Sequence, residues 1–382
     1  MRTIGIGVAG LGRAFSFMAA SFAADARVRL VAAADPRPEA LQRFRGEFSG
    51  TTHASVEQLC ADPQVDVVYV ATPHELHAGH ARLAARHGKH ILVEKPMALT
   101  LEECRAMIHA AREAGVRLIV GHSHGFDLPV LETRRRIQSG EFGRVRMITA
   151  LNFTDFLYRP RRPEELDTAK GGGAVFNQAA HQVDVVRTLA GKRAISVRAS
   201  TGSWDASRPT EGAYSCLIHF EDGAFATLVY SGYAHFDSDE FMGWVGEMGR
   251  KKDPTTYGGA RKALASSDER ALKNARNYGG SNFAEPAKAG FHQHFGPVIV
   301  SCERADLRPL PDRIEICDDA GRRSIALAAP AIPRVEVIDE LYAAVVEGRP
   351  PLHDGAWAAA TLEVCLAILR SGREAKEIPL SK

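Results

Sequence analysis

The sequence has no long apolar run, no strong charge imbalance and no paired cysteines, and each absence excludes a class of protein. No apolar stretch reaches the roughly 18 residues that a membrane-spanning helix requires. The net charge of +2 provides no basic excess for binding nucleic acid. The six cysteines are scattered, without the short spacing of a zinc knuckle or a redox pair. We therefore expect reduced core cysteines and no metal site; His292 and His294 form a weak candidate pair.

The composition is that of an ordinary globular protein. Apolar residues make up 45% and charged residues 25% of the 382 positions. The chain starts without the charged segment, apolar segment and cleavage site of a secretory signal, so we expect a cytoplasmic location. Its length exceeds what one hydrophobic core usually supports, which predicts two domains.

The first 121 residues alternate apolar runs with helical periods, which predicts a doubly wound parallel sheet. The runs are rich in Val, Ile, Leu and Ala, as expected when helices cover both faces of a sheet. The predicted strands are Thr3–Ala9, Val28–Ala34, Val65–Ala71, His90–Val93 and Val116–Gly121.

After Gly121 the pattern changes to strands that alternate apolar and polar residues, which is typical of an antiparallel sheet. We predict a Rossmann domain over 1–122 and an α+β domain over 123–382 with a large, mostly antiparallel open sheet. An insertion is predicted at about 237–290, and its basic segment Arg250–Arg276 is interpreted as a solvated surface excursion rather than a binding site. Two amphipathic helices end the chain, and the final one can pack back on the Rossmann domain. The open sheet favours a homodimer or homotetramer.

A glycine turn follows the first predicted strand and opens a helix. Gly10 permits the tight turn, and Gly12 lets the backbone approach a pyrophosphate at the helix N-terminus. Phe15 stands where the fingerprint has its third glycine, which weakens the match. Asp35 ends the second strand, where a carboxylate can bind the adenosine ribose and repel a 2′-phosphate. The sequence therefore favours NAD, while nearby Arg37 leaves NADP possible.

Two further clusters follow predicted strands of the same sheet, at the edge where doubly wound sheets bind ligands. Thr72-Pro73-His74 follows one strand, with His77 a turn later, and Glu94-Lys95 follows the next. A lysine there can exchange a proton with a substrate hydroxyl as hydride moves. A surface lysine is the alternative interpretation of Lys95 alone. The predicted cofactor-binding residues are Gly10, Leu11, Gly12, Arg13, Ala14, Asp35, Arg37, Thr72, Pro73, His74, His77, Glu94 and Lys95.

Three glycines at 171–173 precede a second polar cluster. If Val175–Leu189 is helical, Asn177, His181 and Asp184 share one face. His181 could then exchange a proton with substrate while Asp184 orients its ring. A His–Asp hydrogen bond that ties the helix to a sheet is the alternative.

These motifs, in this order, resemble the Gfo/Idh/MocA oxidoreductase family over essentially the whole chain. The resemblance implies a Rossmann domain followed by a mainly antiparallel domain, with Lys95 and His181 as the catalytic pair. Many members carry an aspartate four residues before the histidine, and this chain has Asn177. An amide can bind substrate but cannot relay a proton at neutral pH.

Within the family, the segments 158–166 and 177–182 resemble the phthalate cis-dihydrodiol dehydrogenases, which are thought to rearomatise a dihydroxylated ring with NAD(P). The resemblance suggests that Arg159, Arg161 and Arg162 pair with ring carboxylates, although a solvated basic loop is an equal alternative. Phe153, Phe156 and Trp204 could supply an aromatic wall. The predicted substrate-binding residues are Asn177, Asp184, Arg159, Arg161 and Trp204.

The sequence thus predicts a dehydrogenase that transfers hydride between a substrate carbinol and a nicotinamide cofactor. A sugar or polyol dehydrogenase, such as one for inositol, is the first alternative. An enzyme that uses bound cofactor transiently for isomerisation or elimination is another. A non-catalytic nucleotide sensor is a further class, since a fold does not establish an activity. We expect neither nucleic acid nor membrane as a partner.

Overall fold

The computed structural model describes residues 2–256, 258–265, 268–283 and 289–381. Positions 257, 266–267 and 284–288 of the predicted insertion therefore lie outside the described residues. The chain forms two compact units. The first unit comprises the described residues of 1–122, 270–288 and 332–362, and the second unit comprises those of 123–269, 289–331 and 363–382. The division differs from the predicted one in two segments, because 270–288 and 332–362 pack with the first unit.

The first unit contains a parallel sheet that has six strands in the described part of the chain, in the order β3-β2-β1-β4-β5-β6. The order reverses beside β1, which is the doubly wound arrangement predicted from the alternation of strands and helices. The strands are β1 (Ile4–Ala9), β2 (Val28–Ala34), β3 (Thr51–His53), β4 (Val67–Val70), β5 (His90–Val93) and β6 (Leu118–Val120). The helices are α1 (Arg13–Ala24), α2 (Pro38–Phe48), α3 (Val56–Ala61), α4 (His77–Arg86) and α5 (Leu101–Glu113).

Local sequence explains why these elements begin where they do. Every residue of β1 and of β4 is buried, as expected for strands covered on both faces. A capping box begins α5, because Thr100 accepts the amide of Glu103 and the Glu103 carboxylate accepts the amide of Thr100. At α3 only half of the box forms: Ser55 accepts the amide of Gln58, whereas the Gln58 side chain accepts the amide of Ala54.

The second unit contains a mixed sheet with nine strands among the residues described, in the order β14-β13-β12-β11-β7-β10-β9-β8-β15. Its pairs are antiparallel except for the parallel pair of β7 and β10. The strands are β7 (Val145–Phe153), β8 (Ala194–Gly202), β9 (Ala213–Phe220), β10 (Phe225–Ser231), β11 (Val298–Cys302), β12 (Ala305–Leu310), β13 (Arg313–Asp318), β14 (Gly321–Ala326) and β15 (Ile378–Pro379).

A buried helix packs on one face of this sheet and carries the polar cluster predicted at 177–184. This helix, α7 (Ala180–Ala190), is buried along its whole length and follows a π-helical turn at Val175–Ala179. The core between helix and sheet includes Val183 and Val186. The remaining helices are α6 (Leu128–Gln138), α8 (Gly259–Ala265), α9 (Glu269–Ala275), α10 (Val335–Val345) and α11 (Gly355–Glu374). No helix within the described ranges combines the length and the apolar composition that crossing a membrane requires.

The other face of the sheet exposes apolar side chains on three neighbouring strands. Met147 on β7 pairs with Phe225 on β10, and Ile299 on β11 pairs with Thr149, two residues along from Met147. Because side chains alternate along a strand, Met147, Phe225 and Ile299 lie on the same face. Their exposed fractions are 36%, 36% and 40%. This patch of three residues is called the open-face patch below.

The part of the insertion that directly follows its basic segment 250–276 is packed into the first unit, which was not predicted from the sequence. After α9 the chain packs against the first unit, and Tyr278 is only 1% exposed. The Tyr278 ring lies edge-on to Phe15, with 4.9 Å between ring centroids, and its hydroxyl donates to Glu47. Composition counts charges but does not reveal that one aromatic residue beside a basic segment has an apolar partner far away in the sequence.

Candidate functional site

The glycine turn between β1 and α1 has the geometry that a bound pyrophosphate requires. Gly10 has φ +93°, and a Cβ there would lie 2.8 Å from the carbonyl oxygen of Ala71, so only glycine fits. Gly12 caps α1, and a Cβ at Gly12 would meet nothing within 4 Å. The backbone is thus bare and open at the positive end of α1, beside the first-turn residues Arg13 and Ala14. The turn fits the diphosphate of a dinucleotide.

Asp35 lies at the end of β2, beside this turn, and is held by two neighbours. Its carboxylate accepts hydrogen bonds from the Leu11 amide at 2.7 Å and from the amide and guanidinium of Arg37. The Asp35 side chain is 5% exposed, and Leu11 is fully buried. Arg37 also donates to the carbonyl oxygens of Leu11 and Tyr278. A ribose hydroxyl would therefore share Asp35 with the Arg37 guanidinium, and the charge of Arg37 is already balanced.

The position of the missing third glycine is filled by packing. Phe15 is fully buried, and its ring lies 6.2 Å from that of Phe44 and 4.9 Å from that of Tyr278. A glycine there would bring helix and strand close together. Here the Phe15 side chain occupies that position instead and packs in an aromatic cluster, which Tyr278 of the insertion completes. The sequence contained Phe15 and Tyr278 but no local pattern that joins them.

The loops after β4 and β5 are tied together by His77. Its Nδ1 lies 2.9 Å from the Pro96 carbonyl oxygen, and its Nε2 lies 2.9 Å from that of Thr72. His77 is fully buried, and burial lowers its pKa. The structure therefore differs from the predicted direct contact with cofactor: the ring has no exposed surface and positions the two loops instead. Thr72 and His74, which are half-buried, and Pro73 form the rim of the first loop.

Lys95 follows β5 and is half-buried, directly after a buried carboxyl group. Burial raises the pKa of Glu94, and the Tyr69 hydroxyl opposes that rise by donating to Glu94 at 2.5 Å. The carboxyl group is 8% exposed, so it lies beneath the loop rather than on it. This places Glu94 as a support for the loop that carries Lys95.

The predicted continuous helix over 175–189 is interrupted, since its first turn is π-helical. A π-turn widens the helix, so the simple i, i+4 spacing between Asn177 and His181 does not hold there. Asn177 is buried and donates its amide hydrogens to the carbonyl oxygens of Gly171 and Gly173. Gly173 has φ +83°, and a Cβ would lie 2.2 Å from Glu211, so the glycine loop cannot accept a side chain at that position. π-turns are frequent at functional sites.

His181 and Asp184 occupy the first turns of α7 and are both buried. The Asp184 carboxylate accepts a hydrogen bond from the Ser123 hydroxyl. The His181 ring packs against Phe295, with ring centroids 5.1 Å apart. Phe295 in turn is stacked on Tyr230, with an angle of 8° between the rings and 6.2 Å between their centroids. His181 thus stands at one end of a row of aromatic rings.

A second histidine, which the sequence interpretation missed, lies beside His181. The rings of His124 and His181 are 4.8 Å apart and edge-on. Nδ1 of His124 lies 2.6 Å from Asp127, and Nε2 lies 3.5 Å from Glu247. Burial disfavours the imidazolium, but these two carboxylates outweigh it and raise the pKa of His124 to about 9. The pair at 124 and 127 is a detectable short-range signal, whereas Glu247 lies in the insertion and has none.

Arg159 completes this charged network. Its guanidinium lies 3.3 Å from the second oxygen of Glu247 and 2.7 Å from Asp155. Burial opposes ionisation of Glu247, but Arg159 and then His124 hold the pKa of that carboxyl group well below its usual range. Two cations and three carboxylates therefore alternate beside His181: Asp127, His124, Glu247, Arg159 and Asp155.

Trp204 follows β8 and is the most exposed of the predicted substrate-binding residues, with 70% of its surface accessible. Its ring stacks on Tyr233, with 4.7 Å between centroids, and its amide donates to the Tyr233 hydroxyl. The geometry holds an indole face open to solvent. Its predicted contact with substrate stays a prediction.

Both parts of the chain are similar to known protein families. The model of the oxidoreductase family with an NAD-binding Rossmann fold matches residues 4–122, and the model of the GFO/IDH/MocA C-terminal domain matches residues 130–250. A Comamonas testosteroni protein named 1-carboxy-3-chloro-3,4-dihydroxycyclohexa-1,5-diene dehydrogenase is 49% identical over 375 residues, which cover 96% of this chain and 94% of that protein.

Two further similarities extend the comparison. The inositol 2-dehydrogenase of Rhizobium meliloti is 31% identical over 199 residues, covering 52% of this chain and 58% of that protein. A solved structure from Bordetella bronchiseptica RB50 superposes with a TM-score of 0.93 at 43% identity, covering 99% of this chain and 100% of that chain.

Proposed function

This chain belongs to the Gfo/Idh/MocA family of NAD-binding oxidoreductases, and on that premise we propose that it dehydrogenates a cis-diol on a partly unsaturated six-membered ring. The 49% identity to the Comamonas testosteroni dehydrogenase, over 96% of this chain, carries the choice of substrate class. The surroundings of His181 agree with it, because the ring packs against the apolar side chain of Phe295, which stacks on Tyr230.

Cofactor binding is assigned to the first unit. Gly10 and Gly12 leave room for the diphosphate at the N-terminus of α1. The Asp35 carboxylate accepts hydrogen bonds from the hydroxyls of the adenosine ribose. Bound NAD would supply the acceptor for the hydride that leaves the carbinol carbon. The carboxylate at position 35 would repel a 2′-phosphate, which supports NAD over NADP.

The protein's own residues handle the proton. We assign Lys95 as the base that takes the proton of the substrate hydroxyl as the C–H hydride leaves. The carbonyl compound so formed gains aromaticity when it tautomerises to a catechol, so the oxidation is driven forward. His181 is assigned to hold or exchange a proton at the reacting oxygen. Asn177 and Asp184 shape the pocket as positioning residues, because their bonds to Gly171, Gly173 and Ser123 fix the start of α7.

The test is turnover of a cis-dihydrodiol of a six-membered diene, compared with inositol and hexoses, with NADH followed at 340 nm. We expect the dihydrodiol to have by far the highest kcat/KM. Preference for inositol or a hexose would support the sugar or polyol dehydrogenase instead. NAD binding without turnover of any alcohol would support the sensor, and product without net NADH would support isomerisation or elimination.

Lys95 is tested by two variants that separate charge from basicity. Lys95→Met removes both, and Lys95→Arg keeps the charge but cannot act as a base near neutral pH. Both variants should lower kcat roughly 10²- to 10⁴-fold, the range for general-base catalysis, while the Kd for NAD changes little. If Lys95→Arg restored wild-type turnover, charge alone would be the contribution of Lys95.

The assembly and location form part of the proposal. The open-face patch is apolar and exposed, which supports a homodimer or homotetramer formed through that face of the sheet. Cys317 is an exposed free thiol, which suits the reducing cytoplasm.

A further inference from the structure

Three arginines occur between positions 159 and 162, and the structure gives them different surroundings. Arg159 is balanced by Asp155 and Glu247, as described above. Arg162 has a side chain that is 43% exposed and lies 3.5 Å from Glu165. The charge of Arg159 is thus balanced by two carboxylates, and that of Arg162 by solvent and one carboxylate.

Arg161 differs from both, since its guanidinium is nearly buried and has no carboxylate oxygen within hydrogen-bonding distance, although its backbone amide donates to Glu269 at 2.7 Å. Its side chain is 11% exposed, and its guanidinium lies over the ring of Phe156, 3.8 Å from the centroid. One terminal nitrogen donates to the Phe156 carbonyl oxygen at 2.8 Å. The nearest carboxylate oxygen of Glu165 is 3.9 Å away, and that residue accepts the Arg162 amide with its other oxygen. Among the described residues, the buried Nε of Arg161 has no hydrogen-bond partner.

A cation in this setting is poised for an anion. Burial lowers the pKa of Arg161 to about 10, so the guanidinium still carries its charge at neutral pH. A buried charge without a hydrogen-bonded counter-ion is unfavourable, and a ligand that supplies the counter-ion gains that energy on binding. The flat fork of Nε and a terminal nitrogen matches the two oxygens of a carboxylate.

Arg161 also lies at the end of the aromatic row. The Phe156 ring beneath it is 6.5 Å from that of Tyr230, which stacks on Phe295, which packs on His181. Arg161 and His181 therefore lie at opposite ends of one series of ring contacts.

We infer that Arg161, rather than Arg159 or Arg162, binds a carboxylate carried on the ring of the substrate. This inference rests on the proposed function for the identity of the ring, and it adds the anionic substituent and the residue that recognises it. Arg159 keeps a separate role: it holds Glu247 against His124.

The first test uses binding, which requires no turnover. Benzoate and phthalate are titrated into the NADH-loaded protein by calorimetry, with the uncharged benzamide as the comparison ligand. The wild type should bind the carboxylates and bind benzamide at least about tenfold more weakly. Arg161→Met should weaken carboxylate binding roughly 10- to 100-fold, the range for a hydrogen-bonded charge, and leave benzamide unchanged. Arg162→Met is the matched control and should bind both as the wild type does.

A second variant guards against loss of folding. Arg161→Lys keeps a buried cation but not the fork, so it should retain part of the carboxylate preference and the wild-type circular dichroism spectrum. Unchanged carboxylate affinity in Arg161→Met, or no carboxylate preference in the wild type, would overturn the inference. An equal loss of affinity for benzamide and for benzoate would also overturn the inference, since it would indicate a general change in the binding site.

Kinetics then separate this inference from the proposed function. With a carboxylated cis-dihydrodiol, Arg161→Met should raise KM about as much as it weakens benzoate binding, with a smaller effect on the dihydrodiol that lacks the carboxylate. If no dihydrodiol is oxidised but the binding results hold, the proposed function fails and the carboxylate site stands. If both dihydrodiols are oxidised equally well by the wild type, the carboxylate site fails and the proposed function stands.

Discussion

The charged network around His124 predicts a specific loss of stability at alkaline pH. The perturbation is deprotonation of His124, whose pKa rises from 6.5 to about 9 in the folded protein. Because the folded-state pKa is the higher one, the stabilisation is fully present below pH 6.5 and is lost as the pH rises through 9. The two values differ enough to correspond to about 3 kcal/mol, at 1.36 kcal/mol per pKa unit. His124 is only 2% exposed, so solvent screens its interactions with Asp127 and Glu247 only weakly.

The assay is the melting temperature of the wild type and of His124→Gln between pH 6 and pH 10. Domains of 150–250 residues lose about 2–4 °C per kcal/mol, so the wild type should lose roughly 6–12 °C more than the variant across this range. Subtracting the change in melting temperature of the variant from that of the wild type cancels the contribution of the other titrating groups, because both proteins share them. His292→Gln is the control: His292 is also buried in the second unit, but its ring bonds the backbone carbonyl of Ala328. It should retain the steep alkaline loss of the wild type.

The reasoning would be refuted if wild type and His124→Gln lost stability in parallel. It would also be refuted if the stability of the wild type rose relative to that of His124→Gln between pH 6.5 and pH 10, because a histidine whose pKa is raised on folding can only lose stabilisation over that range.

Two further predictions concern the cofactor and the assembly. Asp35→Asn should weaken NAD binding about tenfold and bring the NADP affinity closer to that of NAD. The reason is that the substitution removes the charge that repels a 2′-phosphate and leaves the charge of Arg37 unbalanced. Titration of the variant with both coenzymes measures the two affinities. Asp66→Asn, which changes a carboxylate that accepts the Gly5 amide, is the control and should bind both coenzymes as the wild type does. Ile299→Lys should convert the wild-type oligomer to a monomer in light scattering without changing its circular dichroism, since it places a charge in the open-face patch. A monomeric wild type would contradict the assembly.

Much of the first unit followed from local sequence. β2 and β5 have the predicted bounds, and β1 begins one residue later than predicted. Such strands are identifiable because both faces are buried, so the apolar run is continuous. β3, of three residues, carries too few residues for any pattern.

What the sequence alone determined is what depends on neighbours along the chain: the glycine turn at 10–12, the carboxylate at 35 that follows β2, Lys95 after β5, and the polar cluster on α7. Only the tertiary structure decided what depends on distant partners. It placed Glu247 against His124 and packed Tyr278 of the insertion on Phe15. It also left the guanidinium of Arg161, unlike that of Arg159, without a carboxylate within hydrogen-bonding distance. The physical reason is that backbone geometry repeats over a few residues and can be recognised as a pattern, whereas burial and charge balance are set by the residues that the folded chain brings together.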